Sequence, residues 1–174
     1  KNEADKRVVS QLAGVSYNDL CANLTTGLLL PESPVRKVGS IWKIASPRDA
    51  WFRLAPYLTA SDVQSFSEMA LEVLGKPDPA FERQDKEWFA FDHNSPDTNS
   101  SFLKQGLVET ITLIGVFGDQ HPTIPNLRTV SDNLVRELLR GADARRWWSL
   151  ADHFSELAEA SPAEFLRALD DGLS

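Results

Sequence analysis

Hydrophobic residues recur every three to four positions along most of this chain, a spacing that predicts amphipathic helices. The apolar stripes are short and stop near glycine or proline, and several follow a serine or threonine that can cap a first helical turn. The stripes are Val8, Val9 and Leu12; Leu20, Leu24 and Leu28; Ala50, Trp51, Leu54, Ala55 and Leu58; Val63, Phe66, Ala70, Val73 and Leu74; Leu103, Leu107, Ile111 and Ile114; Val130, Leu134, Val135 and Leu138; Trp147, Leu150, Phe154 and Leu157; and Phe165, Leu166 and Leu169. The pattern therefore predicts a mainly α-helical fold.

One stretch, residues 35–44, changes to a period of two, which is typical of β-strands. A two-residue turn with glycine in first position fixes the register of a hairpin there. The predicted pairs are Val38 with Ile41, Lys37 with Trp42, Arg36 with Lys43, and Val35 with Ile44. We expect the face with Val35, Lys37, Trp42 and Ile44 to be buried, with the lysine stem lying over the indole. This hairpin is the only β-structure that the sequence predicts.

The helical pattern fails between residues 76 and 100, where prolines stand at positions 77, 79 and 96. A long irregular connection of this kind separates subdomains or is itself functional. We therefore divide the chain into a winged-helix-like part with its following helices (1–75), an irregular connection (76–100) and a helical array (101–174). The array is expected to be an antiparallel bundle or a short α-solenoid.

The order of elements in the first part resembles a winged helix that lacks its first helix. The resemblance covers residues 3–58, with 16–28 as the recognition helix and 35–44 as the wing. The strings SPVRKVGSIWKIASPRDAW (33–51), ALEVLGKPDP (70–79) and LVET (107–110) resemble the middle region of large, poorly characterised bacterial proteins of the signal-transducing P-loop NTPase type. This resemblance implies a nucleotide site upstream of Lys1. The charged start of the chain is accordingly expected to be a cut through a longer protein.

The composition of the chain indicates whether it is ordered, disulfide-bonded or membrane-spanning. With 174 residues, 42% hydrophobic content and five tryptophans, the chain is expected to fold around a core instead of staying disordered. A single cysteine, Cys21, excludes an internal disulfide framework and fits a reducing compartment. No apolar run approaches the ~20 residues that a membrane-spanning helix needs. We therefore expect a cytoplasmic protein without a membrane partner.

Motifs for catalysis or cofactor binding are absent from the sequence. It contains neither Gly-x-x-x-x-Gly-Lys-Ser/Thr nor Gly-x-Gly-x-x-Gly, so no phosphate-binding loop is expected. His93, His121 and His153 lie in different segments and form no pair with metal-ligand spacing. His93, between Asp92 and nearby Asp97, is the best single candidate for a general base, and it would support a small hydrolase. The alternative is a solvated loop histidine, and we expect no enzyme, metal or cofactor.

Two places stand out as candidate interaction surfaces. Between Pro34 and Arg53 five positive residues accompany one acid, a local charge of about +4 in a chain of net charge −7. Arg36 opposite Lys43 is unfavourable unless a phosphate, an acidic surface or an acid of the same chain lies nearby, or both side chains extend into water. The second place is Trp147 and Trp148, which point about 100° apart on a helix, so that one packs and the other enters an interface. The candidate surface residues are Arg36, Lys37, Val38, Ile41, Lys43, Trp147 and Trp148.

These observations favour a non-catalytic scaffold or protein-interaction region of a larger bacterial protein. Its partners would be other domains of the same chain or another protein, and it would relay the state of an upstream NTPase. The alternative is a DNA-binding regulator that uses the basic wing. Against DNA, the would-be recognition helix offers Tyr17, Asn18, Asp19 and Asn23 but no arginine or lysine for phosphate contacts.

Overall fold

The computed structural model describes residues 2–39, 41–78, 81 and 99–173. Within these residues the chain is mainly helical and contains one two-stranded antiparallel hairpin, which confirms the predicted fold class. The elements are α1 (Glu3–Ala13), α2 (Tyr17–Gly27), β1 (Val35–Val38), β2 (Ile41–Ile44), α3 (Pro47–Leu54), α4 (Ala60–Leu74), α5 (Ser101–Phe117), α6 (Arg128–Leu139), α7 (Ala144–Leu150), α8 (Phe154–Ala160) and α9 (Pro162–Leu173). None of the described helices has the length and apolar character needed to cross a bilayer.

The helices begin at the capping residues that the sequence indicated. Ser16, Ser46 and Thr59 each accept a hydrogen bond from the backbone N–H three residues later, at the start of α2, α3 and α4. At Thr59 the cap is reciprocal, because Asp62 accepts the Thr59 backbone N–H in return. The Thr59 hydroxyl and the Thr59 backbone N–H both donate to the Asp62 carboxylate, and these two hydrogen bonds lower the pKa of the Asp62 carboxyl. Local sequence thus sets where these helices start.

The hairpin has the predicted register, from Val35 opposite Ile44 to Val38 opposite Ile41. Gly39 has a φ of 61°, a conformation that glycine adopts without strain at a tight turn. The Lys37 ammonium lies 4.8 Å from the centre of the Trp42 ring, as expected. The predicted burial of this face is only partly right: Val35 and Trp42 are half-buried, but Lys37 and Ile44 are exposed. The hairpin forms a sheet of only two strands, so its faces are not covered along their whole length.

One hydrophobic cluster holds α1, α4, α5, α6, α7, α8 and α9 together. Its fully buried members include Val8 from α1, Val73 from α4, Ile111 from α5 and Leu157 from α8. Side chains from both sides of residues 76–100 therefore share this core. The three-part division of the chain stays a prediction, and most of the irregular connection, residues 79, 80 and 82–98, lies outside the described residues.

A second, smaller cluster fixes α3, and with it the hairpin that runs directly into α3. Trp51 and Ala55 pack against Val63 of α4, Ile114 of α5 and Leu127. Because the Trp51 side of α3 packs against this cluster, the opposite side of the helix faces outward and carries polar and aromatic residues. The hairpin is thus held beside α5.

Helices α5 and α8 approach each other closely at Gly115 and Ala160. Gly115 lies against the backbone of Ala160, so that a Cβ at position 115 would overlap the Ala160 carbonyl oxygen. The buried Ser131 hydroxyl of α6 lies 3.1 Å from the Ile111 carbonyl oxygen and 3.3 Å from that of Ala160. Helices α5, α6 and α8 therefore pack closely together around Gly115, Ser131 and Ala160.

Candidate interaction surfaces

The hairpin presents three cations that have no acidic partner among the residues the structure describes. Arg36 and Lys43 stand directly opposite each other on one face, and Lys37 lies on the other. All three side chains are exposed. Among the described residues no carboxylate lies within ion-pair distance of any of them. The intramolecular acid that would relieve the Arg36–Lys43 repulsion is therefore not found in this part of the chain.

Aromatic rings lie beside two of these cations instead. Lys43 approaches the ring of Phe102, with its ammonium 5.8 Å from the ring centre, just as Lys37 approaches Trp42. A ring face attracts a cation by roughly 0.5–1 kcal/mol at an exposed site, and it leaves the positive charge uncancelled. Phe102 is the second residue of α5, and 58% of its surface is exposed. The hairpin cations thus remain available to an external anion.

The same arrangement continues along α3. The Arg48 guanidinium carbon lies 5.5 Å from the centre of the Phe117 ring, and Phe52 meets Phe117 edge-on at 5.1 Å. Arg53, by contrast, has a carboxylate partner, since its Nη2 lies 3.8 Å from Glu32 Oε2. Arg48 and Phe52 therefore extend the cationic and aromatic character of the hairpin along the exposed side of α3.

We call this region the basic hairpin surface. It consists of Arg36, Lys37, Val38, Lys43, Arg48, Phe52 and Phe102. Val38 and Phe102 have most of their surface exposed, at 66% and 58%. Ile41, which the sequence also placed here, is half-buried. A surface on which unpaired cations alternate with exposed apolar groups has the two features of a protein-binding site, apolar contact area and charge selectivity.

Helix α2 offers little to a phosphate. Its exposed residues include Asn18, Asp19 and Asn23, and it contains no lysine or arginine. Cys21 is half-buried, and its hydrogen bond with Tyr17 is the main reason that the pKa of the Tyr17 hydroxyl is raised.

The two adjacent tryptophans diverge as expected. Trp147 packs edge-on against Phe154 and Phe165, with ring centres 5.4 Å and 6.4 Å away, at the border of the main core. Trp148 is 39% exposed and meets Phe81 edge-on at 5.9 Å. Only Trp148 is therefore placed to contact a partner, and Phe81 already covers part of its ring.

The two histidines that the structure describes lie in different places, His121 in the loop before α6 and His153 between α7 and α8. His93 and the neighbouring acids lie outside the described residues. The Nδ1 atom of His121 accepts hydrogen bonds from the backbone N–H groups of Thr123 and Ile124, so it organises the loop before α6. Within the described part of the chain, no group of three or more histidine, cysteine or acidic side chains could hold a metal ion.

His153 is a buried histidine in the short turn between α7 and α8. Its Nδ1 atom is buried and has no hydrogen-bond partner among the described residues. Burial lowers the pKa of this imidazole below its ordinary value of 6.5, and Lys104 lowers it further. The nearby carboxylates of Glu156 and Asp152 act in the opposite direction but do not outweigh burial. The folded protein therefore favours neutral His153.

This lowered pKa predicts a loss of stability in mild acid. Above about pH 6.5 the imidazole is neutral in both states, and as the pH falls the unfolded chain takes up a proton that folded His153 resists. We expect urea denaturation to show a smaller free energy of unfolding near pH 5.5 than near pH 7. This decrease in the free energy of unfolding should be smaller in the variant His153→Leu. Equal decreases in the free energy of unfolding of the two proteins would contradict the assignment of this effect to His153. Carboxylates contribute little over this pH range, because most of them titrate below about pH 5.

A groove between α4 and α6 is a feature that the sequence did not reveal. Its walls are formed by one face of each helix and by the loop residues Ile124, Pro125 and Leu127, and it has a volume of about 380 Å³. In the sequence, the apolar positions of α4 and α6 have the spacing of ordinary core-facing helices. Only the spacing of the two packed helices leaves the groove open.

No protein-family model, curated protein or solved structure matches this chain. Its function is therefore inferred from its own residues and their geometry.

Proposed function

We propose that this chain is a non-catalytic protein-interaction scaffold whose basic hairpin surface binds an acidic segment of a partner protein or of another domain. The observation that carries the proposal is the exposure of Arg36, Lys37 and Lys43 without a carboxylate partner among the described residues. These cations belong to a chain of net charge −7, so the surface differs in sign from the protein as a whole. Such a difference selects acidic partners and orients them.

An acidic polypeptide fits this surface better than DNA does. The exposed apolar groups Val38, Phe52 and Phe102 add contact area that leucine or aromatic residues of a polypeptide would cover. The neighbouring α2 carries Asp19 and no cation, so it would repel a phosphate backbone brought alongside. Four cations without a carboxylate partner in the described part of the chain still support the DNA-binding alternative. A direct binding experiment distinguishes the two kinds of partner.

The binding test uses two fluorescent probes at low salt. One is an acidic peptide with glutamate and leucine at helical spacing, and the other is a short duplex DNA. We expect fluorescence anisotropy to show peptide binding that weakens with added salt, together with much weaker binding of the duplex. The double variant Arg36→Ala/Lys43→Ala should lose about fivefold to tenfold in peptide affinity, since each exposed charge contributes up to about 1 kcal/mol.

The matched control is Arg128→Ala/Arg140→Ala, at the first residue of α6 and at the residue directly after this helix. It changes the net charge of the chain by the same amount, at two other exposed positions. We expect this variant to bind the peptide like the unmodified protein. Equal losses in both double variants would mean that only net charge matters and would contradict the proposed surface. Tighter binding of the duplex than of the peptide would favour the DNA-binding alternative.

The resemblance to signal-transducing NTPases supports a further part of the proposal, namely that the scaffold relays the nucleotide state of an upstream domain. The chain itself contains no phosphate-binding loop. We therefore expect millimolar ATP to leave the melting temperature of this chain unchanged and to act only on a longer protein that includes the NTPase. A shift of the melting temperature of this chain by ATP would contradict the relay, because ligand binding to the folded state raises it.

A further inference from the structure

The groove between α4 and α6 is apolar although several polar residues line it. Ser67 donates its hydroxyl to the Val63 carbonyl of its own helix at 2.7 Å. The Gln64 amide donates to Glu68 at 3.0 Å, and Asn133 accepts from Arg136 at 2.8 Å. Each of these polar side chains therefore already makes one hydrogen bond within the protein. The surface between them is mostly hydrocarbon.

The length of the groove corresponds to a short helix. On α4 the lining positions run from Ala60 to Leu71, and on α6 from Val130 to Glu137. Eleven residue steps along α4 correspond to about 16 Å, or three helical turns. An extended peptide would find few backbone partners here, because most of the wall consists of the faces of α4 and α6, whose backbone groups are paired within each helix. A helix brings its own backbone hydrogen bonds and needs only an apolar stripe.

The charge at the edge of the groove selects the kind of helix. Glu137 lines the groove, is exposed, and makes no hydrogen bond or ion pair with the described residues. Glu68, the partner of Gln64, is exposed one turn further along α4. No lysine or arginine is among the lining residues that the structure describes, although Arg136 reaches the lining residue Asn133 with its guanidinium. A ligand with positive charges beside its apolar stripe would therefore be favoured over a neutral or acidic one.

We propose that this groove binds an amphipathic helix of a partner protein, about three turns long, with lysine or arginine flanking its apolar stripe. The site is separate from the basic hairpin surface, since the two share no residue. The two surfaces also select partners of opposite charge. A scaffold with two such sites could hold an acidic and a basic segment at the same time.

The test uses a labelled leucine/lysine peptide with leucine at helical spacing as the probe. Its controls are a peptide of the same composition with leucine and lysine alternating, and a helical peptide with glutamate in place of lysine. We expect the first peptide to bind and to gain helical circular dichroism, and each control to bind at least about tenfold more weakly, a difference of about 1.4 kcal/mol. Equal binding of the alternating peptide would overturn the proposal, because it would show attraction by charge alone.

Variants of the protein locate the binding. Glu137→Lys reverses the charge at the edge of the groove at an exposed position, and Ser67→Phe fills the groove without changing charge. Both should weaken binding of the leucine/lysine peptide about tenfold or more. The matched control Glu159→Lys lies on α8, away from the groove, and should bind as the unmodified protein does. Equal weakening by Glu159→Lys, or no weakening by Ser67→Phe, would overturn the site.

A second copy of the chain is the competing occupant. Sedimentation velocity over a range of concentrations tests it without any peptide. We expect a monomer, in both the unmodified protein and Ser67→Phe. A concentration-dependent dimer that Ser67→Phe abolishes would show that the groove is a contact between copies, and would overturn the proposal of a partner helix. Loss of binding at the basic hairpin surface would leave these results unaffected.

Discussion

Gly115→Ala is expected to destabilise the protein by about 3 kcal/mol, because the added methyl group would overlap backbone atoms of the neighbouring helix. A Cβ at position 115 would lie 2.8 Å from the Ala160 carbonyl carbon and 2.9 Å from its Cα, besides overlapping the carbonyl oxygen. A side chain could rotate away, but this obstacle is the backbone of α8. Relief would require α5 and α8 to separate, and the hydrogen-bonding position of Ser131 between them would be lost.

Gly106→Ala provides the control on the same helix. A Cβ at Gly106 meets no atom within 4 Å, and the residue is exposed. Alanine is favoured over glycine inside a helix, so this substitution is expected to stabilise the protein by about 0.5–1 kcal/mol. Urea denaturation followed by circular dichroism measures both effects. Similar changes in the two variants would contradict the close contact between α5 and α8.

Trp147→Ala is expected to cost about 3 kcal/mol of stability, since it removes a large ring from the border of the main core. The neighbouring rings of Phe154 and Phe165 would each lose an edge-on contact, although their own contact at 5.7 Å would remain. Such contacts add to the stabilisation from buried area. The lost area and the resulting cavity explain the size of the effect.

Trp148→Ala is the adjacent control and should cost about 1 kcal/mol, because a large part of this ring is already exposed. Its contact within the described residues is the ring of Phe81. Chemical denaturation followed at a far-ultraviolet wavelength avoids the change in tryptophan fluorescence. If Trp148→Ala proved the more damaging of the two, the assignment of Trp147 to the core would be wrong.

Features set by neighbouring residues could be predicted from the sequence. The hairpin register follows from Gly39 at the turn and the alternation on either side, since a shift by one residue would move every side chain to the opposite face. The capping residues Ser16, Ser46 and Thr59 were recognisable because a cap is a contact over three residues. The concentration of cations between Pro34 and Arg53 was equally visible, although the sequence did not show that Arg53 meets Glu32.

Features that depend on how elements pack could not be read from the sequence. The sequence required only that Trp147 and Trp148 diverge, and the positions of Phe154, Phe165 and Phe81 decided which ring is covered. Likewise, Glu164 is nearly buried because Arg136 from another helix binds its carboxylate, at 2.9 Å and 3.1 Å, together with Arg167. This pairing lowers the pKa of Glu164, and nothing around position 164 indicates it except Arg167.

The sequence by itself determined the helices, their caps, the hairpin and its register, and the cationic stretch, because each arises from interactions between residues close together in the chain. The tertiary structure decided which faces are covered. It left Ile44 exposed where alternation had predicted burial, placed Phe102 beside Lys43, and opened a groove between α4 and α6. Burial depends on the distance and angle between helices, which are set by side chains far apart in sequence, such as Gly115 and Ala160. Both proposed binding surfaces depend on that packing.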